Sequence, residues 1–328
     1  MDISTNTILV TGGCGFIGSH FINHMMEKYP ALHIVNIDCL HYCANVSNVN
    51  EVCRASGYYT FVHGNINDSE LVTSVLEDHH VDHVVHFAAQ SHVQNSFVDV
   101  APFIEDNIMG TQRLLECCRQ YGKLDRIVYV STDEVYGESV IGDADTLKTE
   151  ESILFPTNPY AATKASAEMI VHSYCHSYNL PVIITRGNNV YGLNQYPEKV
   201  IPRFIHLLQQ HKKVTIQGDG SSVRAFLHTT DTVCAFEKIL THGQIGQTYN
   251  IGCDEGMEYR IIDVARMLIR MIHHTEEYDK WIEYIEDRPF NDQRYYISNT
   301  KLKALGWTIR TTFEEGINEL LPPNEVDS

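Results

Sequence analysis

The first half of the chain alternates short apolar, β-branched runs with longer amphipathic stretches. Thr7–Thr11 (TILVT), His33–Asp38 (HIVNID), Tyr59–His63 (YTFVH), His83–Ala88 (HVVHFA), Arg126–Ser131 (RIVYVS) and Pro181–Arg186 (PVIITR) read as strands. Apolar positions at helical spacing run from about Phe16 to Tyr29, over Ser69–His79 and over Pro102–Tyr121. Strands that are apolar almost throughout are buried on both faces, and strand–helix alternation requires right-handed crossovers. The pattern therefore predicts a doubly wound parallel α/β sheet of the Rossmann type.

Beyond Arg186 the alternation breaks. Turn-rich segments such as Gly187–Pro202 and Gln217–Ser222 appear, with helical stretches at Ile261–His273 and Phe313–Leu320. This predicts a dinucleotide-binding domain over residues 1–186 and a smaller C-terminal substrate lobe mainly within 187–328. The span 226–252 is expected to return to the first sheet through Thr248–Ile251 (TYNI).

Composition narrows the function classes. The 328 residues, 43% hydrophobic and 20% charged, suit an ordinary globular protein. A formal net charge of −18 argues against nucleic acid as a partner, because phosphate neutralisation needs clustered Lys and Arg. A few local cations can still hold a small anionic substrate. The nine cysteines, odd in number and scattered through apolar stretches, suit reduced thiols and a cytoplasmic setting. Cys39 and Cys43 lack further ligands, as do His20 and His24, so no metal site is expected. No apolar run reaches membrane-spanning length, so no membrane association is expected.

Gly12, Gly15 and Gly18 form a G-x-x-G-x-x-G loop between the first strand and the first helix. Absent side chains let backbone N–H groups approach a pyrophosphate, and the helix N-terminus favours its charge. Asp38, 20 residues beyond Gly18, ends the second strand where a carboxylate accepts hydrogen bonds from an adenosine ribose. Its charge repels a 2′-phosphate, which favours NAD over NADP; the alternative for Asp38 is a turn cap. Tyr160 and Lys164 lie four apart in NPYAATKASAE, on one helix face. An ammonium there is expected to stabilise a phenolate, making Tyr160 a base toward an alcohol.

With TGGCGFIG, HFAAQSHV, STDEVYG and NPYAATKASAE, the chain resembles the extended short-chain dehydrogenase/reductase family. The resemblance continues through RGNNVYGLNQYPEKVIP, YNIG and DRPFNDQRY, and within that family is strongest to the nucleotide-diphosphate-glucose 4,6-dehydratases, acting on dTDP- or UDP-glucose. Paired Asp133 and Glu134 separate this reading from sugar 4-epimerases and UDP-glucuronate decarboxylases. Loss of water needs a base for a carbon-bound proton and an acid for the departing hydroxyl. The resemblance implies that Tyr160 deprotonates the sugar 4-hydroxyl as C4 passes hydride to NAD, with Thr132 bonded to the same oxygen. It implies that Glu134 then takes the C5 proton while Asp133 protonates the 6-hydroxyl, and that hydride returns to C6. The product is an NDP-4-keto-6-deoxyglucose of the kind used in rhamnose-type deoxysugar synthesis. A non-enzymatic NAD sensor or scaffold is the alternative of another class.

The same matching implies cofactor contacts at Phe16, Ile17, Asn65, Ile66, Ala88, Ala89 and Gln90, and Tyr160 and Lys164 are expected beside the cofactor as well, the ammonium bonding the nicotinamide ribose. It implies substrate contacts at Ser91, Asn189, Lys199, Arg224, Asn250 and Arg288. Asn65 stands where the family usually has Asp, Gln94–Asn95 replace an Asp–Arg pair, and Ala225 replaces Asp or Asn. Phe290 and Asn291 replace a Gly–His pair. The resemblance also implies a homodimer pairing the 102–121 helix with the Tyr160 helix, through residues such as Ile104, Ile108, Leu115, Met169 and Tyr174.

Overall fold

A computed structural model describes residues 1–140, 147–287 and 292–322. The strands, in chain order, are β1 (Thr7–Thr11), β2 (His33–Asp38), β3 (Tyr59–His63), β4 (His83–His86), β5 (Arg126–Thr132) and β6 (Val182–Gly187). They continue with β7 (Asn189–Tyr191), β8 (Val214–Gln217), β9 (Val223–His228), β10 (Thr248–Ile251), β11 (Glu258–Arg260) and β12 (Ile282–Ile285). Seven of them form one sheet in the order β10-β6-β5-β4-β1-β2-β3, and every neighbouring pair is parallel. The reversal of order beside β1 is the topological switch point of a doubly wound sheet. Thr248–Ile251 does return as its edge strand, with Asn250 opposite Arg186.

The helices are α1 (Phe16–Lys28), α2 (Glu51–Arg54), α3 (Ser69–Asp78), α4 (Val93–Val98), α5 (Ala101–Phe103) and α6 (Gly110–Tyr121). After them come α7 (Pro159–Tyr178), α8 (Val200–Gln209), α9 (Thr229–His242), α10 (Ile261–His273), α11 (Thr300–Lys303) and α12 (Phe313–Asn318). On one face of the sheet, Phe21, Ile22 and Met25 of α1 pack with Val233, Phe236 and Leu240 of α9. On the other, Val72 and Leu76 of α3 pack with Leu114 and Leu115 of α6 and Val171 of α7. A third apolar cluster joins Phe204 and Leu208 of α8, Ile216 of β8, Leu268 of α10 and Phe313 of α12. β9 pairs with β7 and β11 in a small separate sheet, and β8 pairs with β12.

The single helix expected over Pro102–Tyr121 is interrupted by a π-helical segment, Ile104–Met109. Such a bulge re-aims a side chain. Here it turns Asn107 toward the loop after β4: its Nδ2 donates to the Gln90 carbonyl at 3.0 Å and its Oδ1 accepts from the Gln90 N–H at 2.8 Å. Strand β4 stops at His86 rather than Ala88 because Thr11, the last residue of β1, holds the departing chain: Phe87 N–H donates to its carbonyl at 3.0 Å and Ala88 N–H to its hydroxyl at 3.3 Å.

Candidate active site

The glycine loop sits at the C-terminal end of β1. Gly12 has φ of +72°, and a Cβ there would lie 2.7 Å from the Ala88 backbone. A Cβ on Gly18 would meet the Gly12 carbonyl at 2.4 Å, so the loop closes tightly on the start of α1. Gly15 is the N-cap of α1 and offers no side-chain cap, so the orphan N–H donors of the first turn are available to an anion. Phe16 and Ile17 open that turn; Ile17 is packed against the core, and Phe16 meets the His20 ring edge-on. Asp38 Oδ2 accepts from the Cys14 N–H at 2.9 Å and Oδ1 from the Leu40 N–H at 2.8 Å. It therefore caps its own turn and also braces the glycine loop. Asn65 Oδ1 accepts from Asn67 N–H, while Ile66 is buried under Gly110. Ala88, Ala89 and Gln90 form the facing wall, pinned by Asn107 and by a Gln90–Asp106 hydrogen bond of 2.8 Å. The cradle fits a dinucleotide pyrophosphate, since any side chain on Gly12 or Gly18 would collide with the backbone that shapes it.

The chemistry-bearing groups gather where β5 ends and α7 begins. Asn158 caps α7 by accepting from Ala161 N–H at 2.8 Å, and Pro159 stands at its first position. This fixes Tyr160 in the first turn, buried, with Thr132, Asp133 and Glu134 facing it from the end of β5. Burial and the nearby Glu134 charge hold the Tyr160 phenol above the ordinary range, and its hydrogen bond with Thr132 works the other way. Lys164, expected to stabilise the phenolate, makes no hydrogen bond to Tyr160 among the described residues. Its Nζ lies over the Tyr129 ring, 4.5 Å from the centroid, and burial draws it down to about 7.

Asp133 accepts from Asn188 Nδ2 at 2.6 Å and from Thr132 Oγ1 at 3.2 Å. Burial first, and then the adjacent Glu134 charge, push it up to about 7. Glu134 is also raised by burial, while a 2.7 Å hydrogen bond from Asn158 Nδ2 and the charges of Arg224 and Lys199 oppose that shift. Burial thus raises both acids, but the charge next door pushes Asp133 further up, while an amide donor and two cations restrain Glu134. Such a split assigns acid and base within one site.

Glu134 opens onto a cleft of about 220 Å³ lined by Asn158, Asn189, Lys199, Arg203, Arg224 and Tyr295, among others. Lys199 Nζ donates to the Ser91 carbonyl at 3.0 Å, which brings Ser91 to the rim. Gln94 Oε1, Gln195 Oε1 and Thr215 Oγ1 also line it, and among the described residues none has a hydrogen-bond partner. A cleft with two guanidinium groups, an ammonium and unpaired polar atoms suits a phosphorylated polar ligand.

The expected nucleotide contact at Asn250 is not borne by its position. Asn250 is fully buried in β10, where its Oδ1 accepts from the Tyr136 hydroxyl at 2.8 Å. Arg288, with Phe290 and Asn291, lies outside the described residues. Three groups that sequence reasoning passed over are Asn158, Asn188 and Tyr295. The run Asn188–Asn189 in RGNN was a signal, but it is Asn188 that grips Asp133 and Asn189 that lines the cleft.

Residues 9–320 match the family described as GDP-mannose 4,6 dehydratase. A trifunctional UDP-glucose 4,6-dehydratase/3,5-epimerase/reductase of Arabidopsis thaliana is 48% identical over 96% of this chain. The chain spans only 46% of that plant protein, about half its length. The dTDP-D-glucose 4,6-dehydratase of Homo sapiens is 44% identical, over 96% of this chain and 88% of its own. A crystal structure of the dTDP-glucose 4,6-dehydratase of Streptomyces venezuelae, with NAD and TYD bound, superposes with a TM-score of 0.88 at 37% identity, covering 95% of this chain and 94% of that one. With its fold, glycine loop and matched length, this chain belongs to the GDP-mannose 4,6-dehydratase family.

Proposed function

We propose that this chain is an NAD-dependent hydro-lyase that converts dTDP- or UDP-glucose to the NDP-4-keto-6-deoxyglucose. The observation that carries the reading is the Asp133–Glu134 pair beside Tyr160, one carboxyl pushed up to about 7 and the other held by Asn158 at the mouth of a cationic cleft. Gly12, Gly15, Phe16, Ile17 and Gly18 hold the pyrophosphate of NAD, Asp38 its adenosine ribose, Asn65 and Ile66 its adenine, and Ala88–Gln90 with Lys164 its far end. NAD, when bound, supplies the acceptor and then the donor of the electron pair exchanged with the sugar. Tyr160 takes the proton of the sugar 4-hydroxyl, and Thr132 steadies that oxygen. A carbonyl at C4 acidifies the C5 hydrogen; Glu134 removes it, and Asp133 protonates the 6-hydroxyl, which leaves as water. Lys199 and Arg224 neutralise the diphosphate, and Ser91 and Asn189 contact the sugar or its phosphates.

Two further readings belong to this proposal. Residues 1–186 with 226–252 act as the cofactor domain, and the remainder of 187–328 as the substrate lobe. The chain works as a homodimer in the cytoplasm. Exposed Ile104 and Met169 on the π segment and α7 support the dimer, and nine free cysteines support a reducing compartment. No described helix is long and apolar enough to cross a membrane.

Incubation with dTDP-glucose and UDP-glucose side by side tests the activity. A 4-keto-6-deoxy product is expected from at least one, abolished in Asp133→Asn and Glu134→Gln. A galactose product, or dehydration that survives both substitutions, sinks the reading.

A further inference from the structure

Glu134 is more constrained than a carboxylate at a cleft mouth needs to be. Its Oε2 accepts from Asn158 Nδ2 at 2.7 Å and lies 3.5 Å from the Tyr295 hydroxyl. Asn158 is buried, and both ends of its amide are committed: Oδ1 caps α7 while Nδ2 holds Glu134. One side chain therefore joins the helix that carries Tyr160 to the carboxylate that faces the substrate. Tyr295 is fixed in turn. Its one hydroxyl proton is shared between Asp292 Oδ2 and, at the longer distance, Glu134 Oε2; Asp292 Oδ1 accepts from Thr157 Oγ1 at 2.7 Å, and the Arg224 guanidinium lies over the Tyr295 ring, 5.1 Å from its centroid. Thr157 and Asn158 are adjacent in the chain, so the two arms close on Glu134 from one backbone segment. Among the described residues Glu134 Oε1 accepts no hydrogen bond, and it is the oxygen left for chemistry.

We infer that Asn158 and Tyr295 are positioning residues that clamp Glu134 through Oε2, so that Oε1 is the atom that takes the substrate proton. The inference rests on the dehydratase reading and goes beyond it. The clamp does two things. It holds the base at a fixed distance from the Tyr160 side of the sugar, so that proton removal at C5 follows oxidation at C4 without a change of pose. Its amide N–H also favours the ionised carboxylate, against a burial that disfavours the charge.

Asn158→Ser and Tyr295→Phe test the clamp. Serine keeps the α7 cap but cannot reach Glu134, and phenylalanine keeps the ring under Arg224 but removes the hydroxyl. In both, single-turnover reduction of the cofactor should stay within about three-fold of wild type, because Tyr160 and Thr132 are untouched. The kcat for dehydration should fall by about ten- to a hundred-fold, with KM changed far less. The acid limb of kcat in Asn158→Ser should move up by roughly one pH unit, as expected for loss of a hydrogen bond to a charged group. If kcat and the acid limb stay in place, or if cofactor reduction falls as far as dehydration, the clamp is overturned. Should Asn158→Ser not fold, Tyr295→Phe decides by its kcat and its cofactor reduction. A wild-type protein that dehydrates neither sugar nucleotide sinks the function itself; one that dehydrates while both variants match it sinks the clamp alone.

Discussion

At Asp133, three neighbours decide which charge the residue carries. The Asn188 amide and Thr132 hydroxyl favour the anion, but burial and the Glu134 charge outweigh them and raise the group from 3.8 to about 7. In the proposed mechanism dehydration needs Asp133 protonated, so kcat should decline as pH rises through about 7, a limb visible in a pH–rate profile. The stability consequence has the same sign. A carboxyl whose folded pKa is raised disfavours the fold progressively as pH climbs from the unfolded value to the folded one. Asp133→Asn should therefore match wild type below pH 3.8 and be the more stable protein above about 7, as read by urea unfolding at the two pH values. Equal midpoints at high pH would show that the carboxyl is not held protonated. Tyr160, Asp133 and Glu134 were legible in the sequence because each stands in a local motif, Y-x-x-x-K or the adjacent acid pair. Asn158, Asn188 and Tyr295 were not, because they reach across 24, 55 and 161 residues and only the fold brings them to the acids.

Elements show the same division. The parallel strands are apolar along their length, so burial on both faces wrote them into the sequence, and six of the seven main-sheet strands, and α1, both begin and end within a residue of the expected runs. Helix α8 was missed because it follows a turn-rich segment and α9 because it starts directly after β9, and their apolar faces pack on partners distant in sequence, Ile216 and Leu268 for α8 and Phe21 for α9. The π segment was invisible for another reason: a bulge is fixed by what Asn107 must reach, not by periodicity. The glycine loop gives a direct test of the cradle. An alanine at Gly12 adds the cost of a left-handed backbone, about 1–2 kcal/mol, to a 2.7 Å encounter with Ala88. Gly12→Ala should weaken NAD binding at least about ten-fold in fluorescence titration. Unchanged affinity would mean that the loop does not hold the cofactor.

Across the whole molecule, a buried polar chain ties the sheet to the helix that carries Tyr160. Arg186 of β6 donates from Nη2 to Glu168 of α7 at 2.6 Å and from Nη1 to the Tyr136 hydroxyl at 2.7 Å. Tyr136 donates to Asn250 of β10, whose N–H donates to Glu150 at 2.9 Å. Both members of the ion pair are out of solvent, at 4% and 0% side-chain exposure. This is what Asn250 does: it holds the return strand to the site's scaffold. Attraction within such a pair roughly offsets the cost of desolvating it, so the pair is weak evidence of net stability. Breaking it is a different matter, because one buried charge is left alone. Glu168→Gln should cost about 3–5 kcal/mol in urea unfolding, a large share of a typical total of about 5–15 kcal/mol. Replacing both partners, as Glu168→Leu with Arg186→Met, should cost clearly less than the single change, since neither leaves a charge unpaired. If the double variant were as unstable as Glu168→Gln, the loss would lie in packing around α7 rather than in the stranded guanidinium. The distinction reaches the active site, because α7 can only present Tyr160 and the Asn158 cap if its far side is held to the sheet.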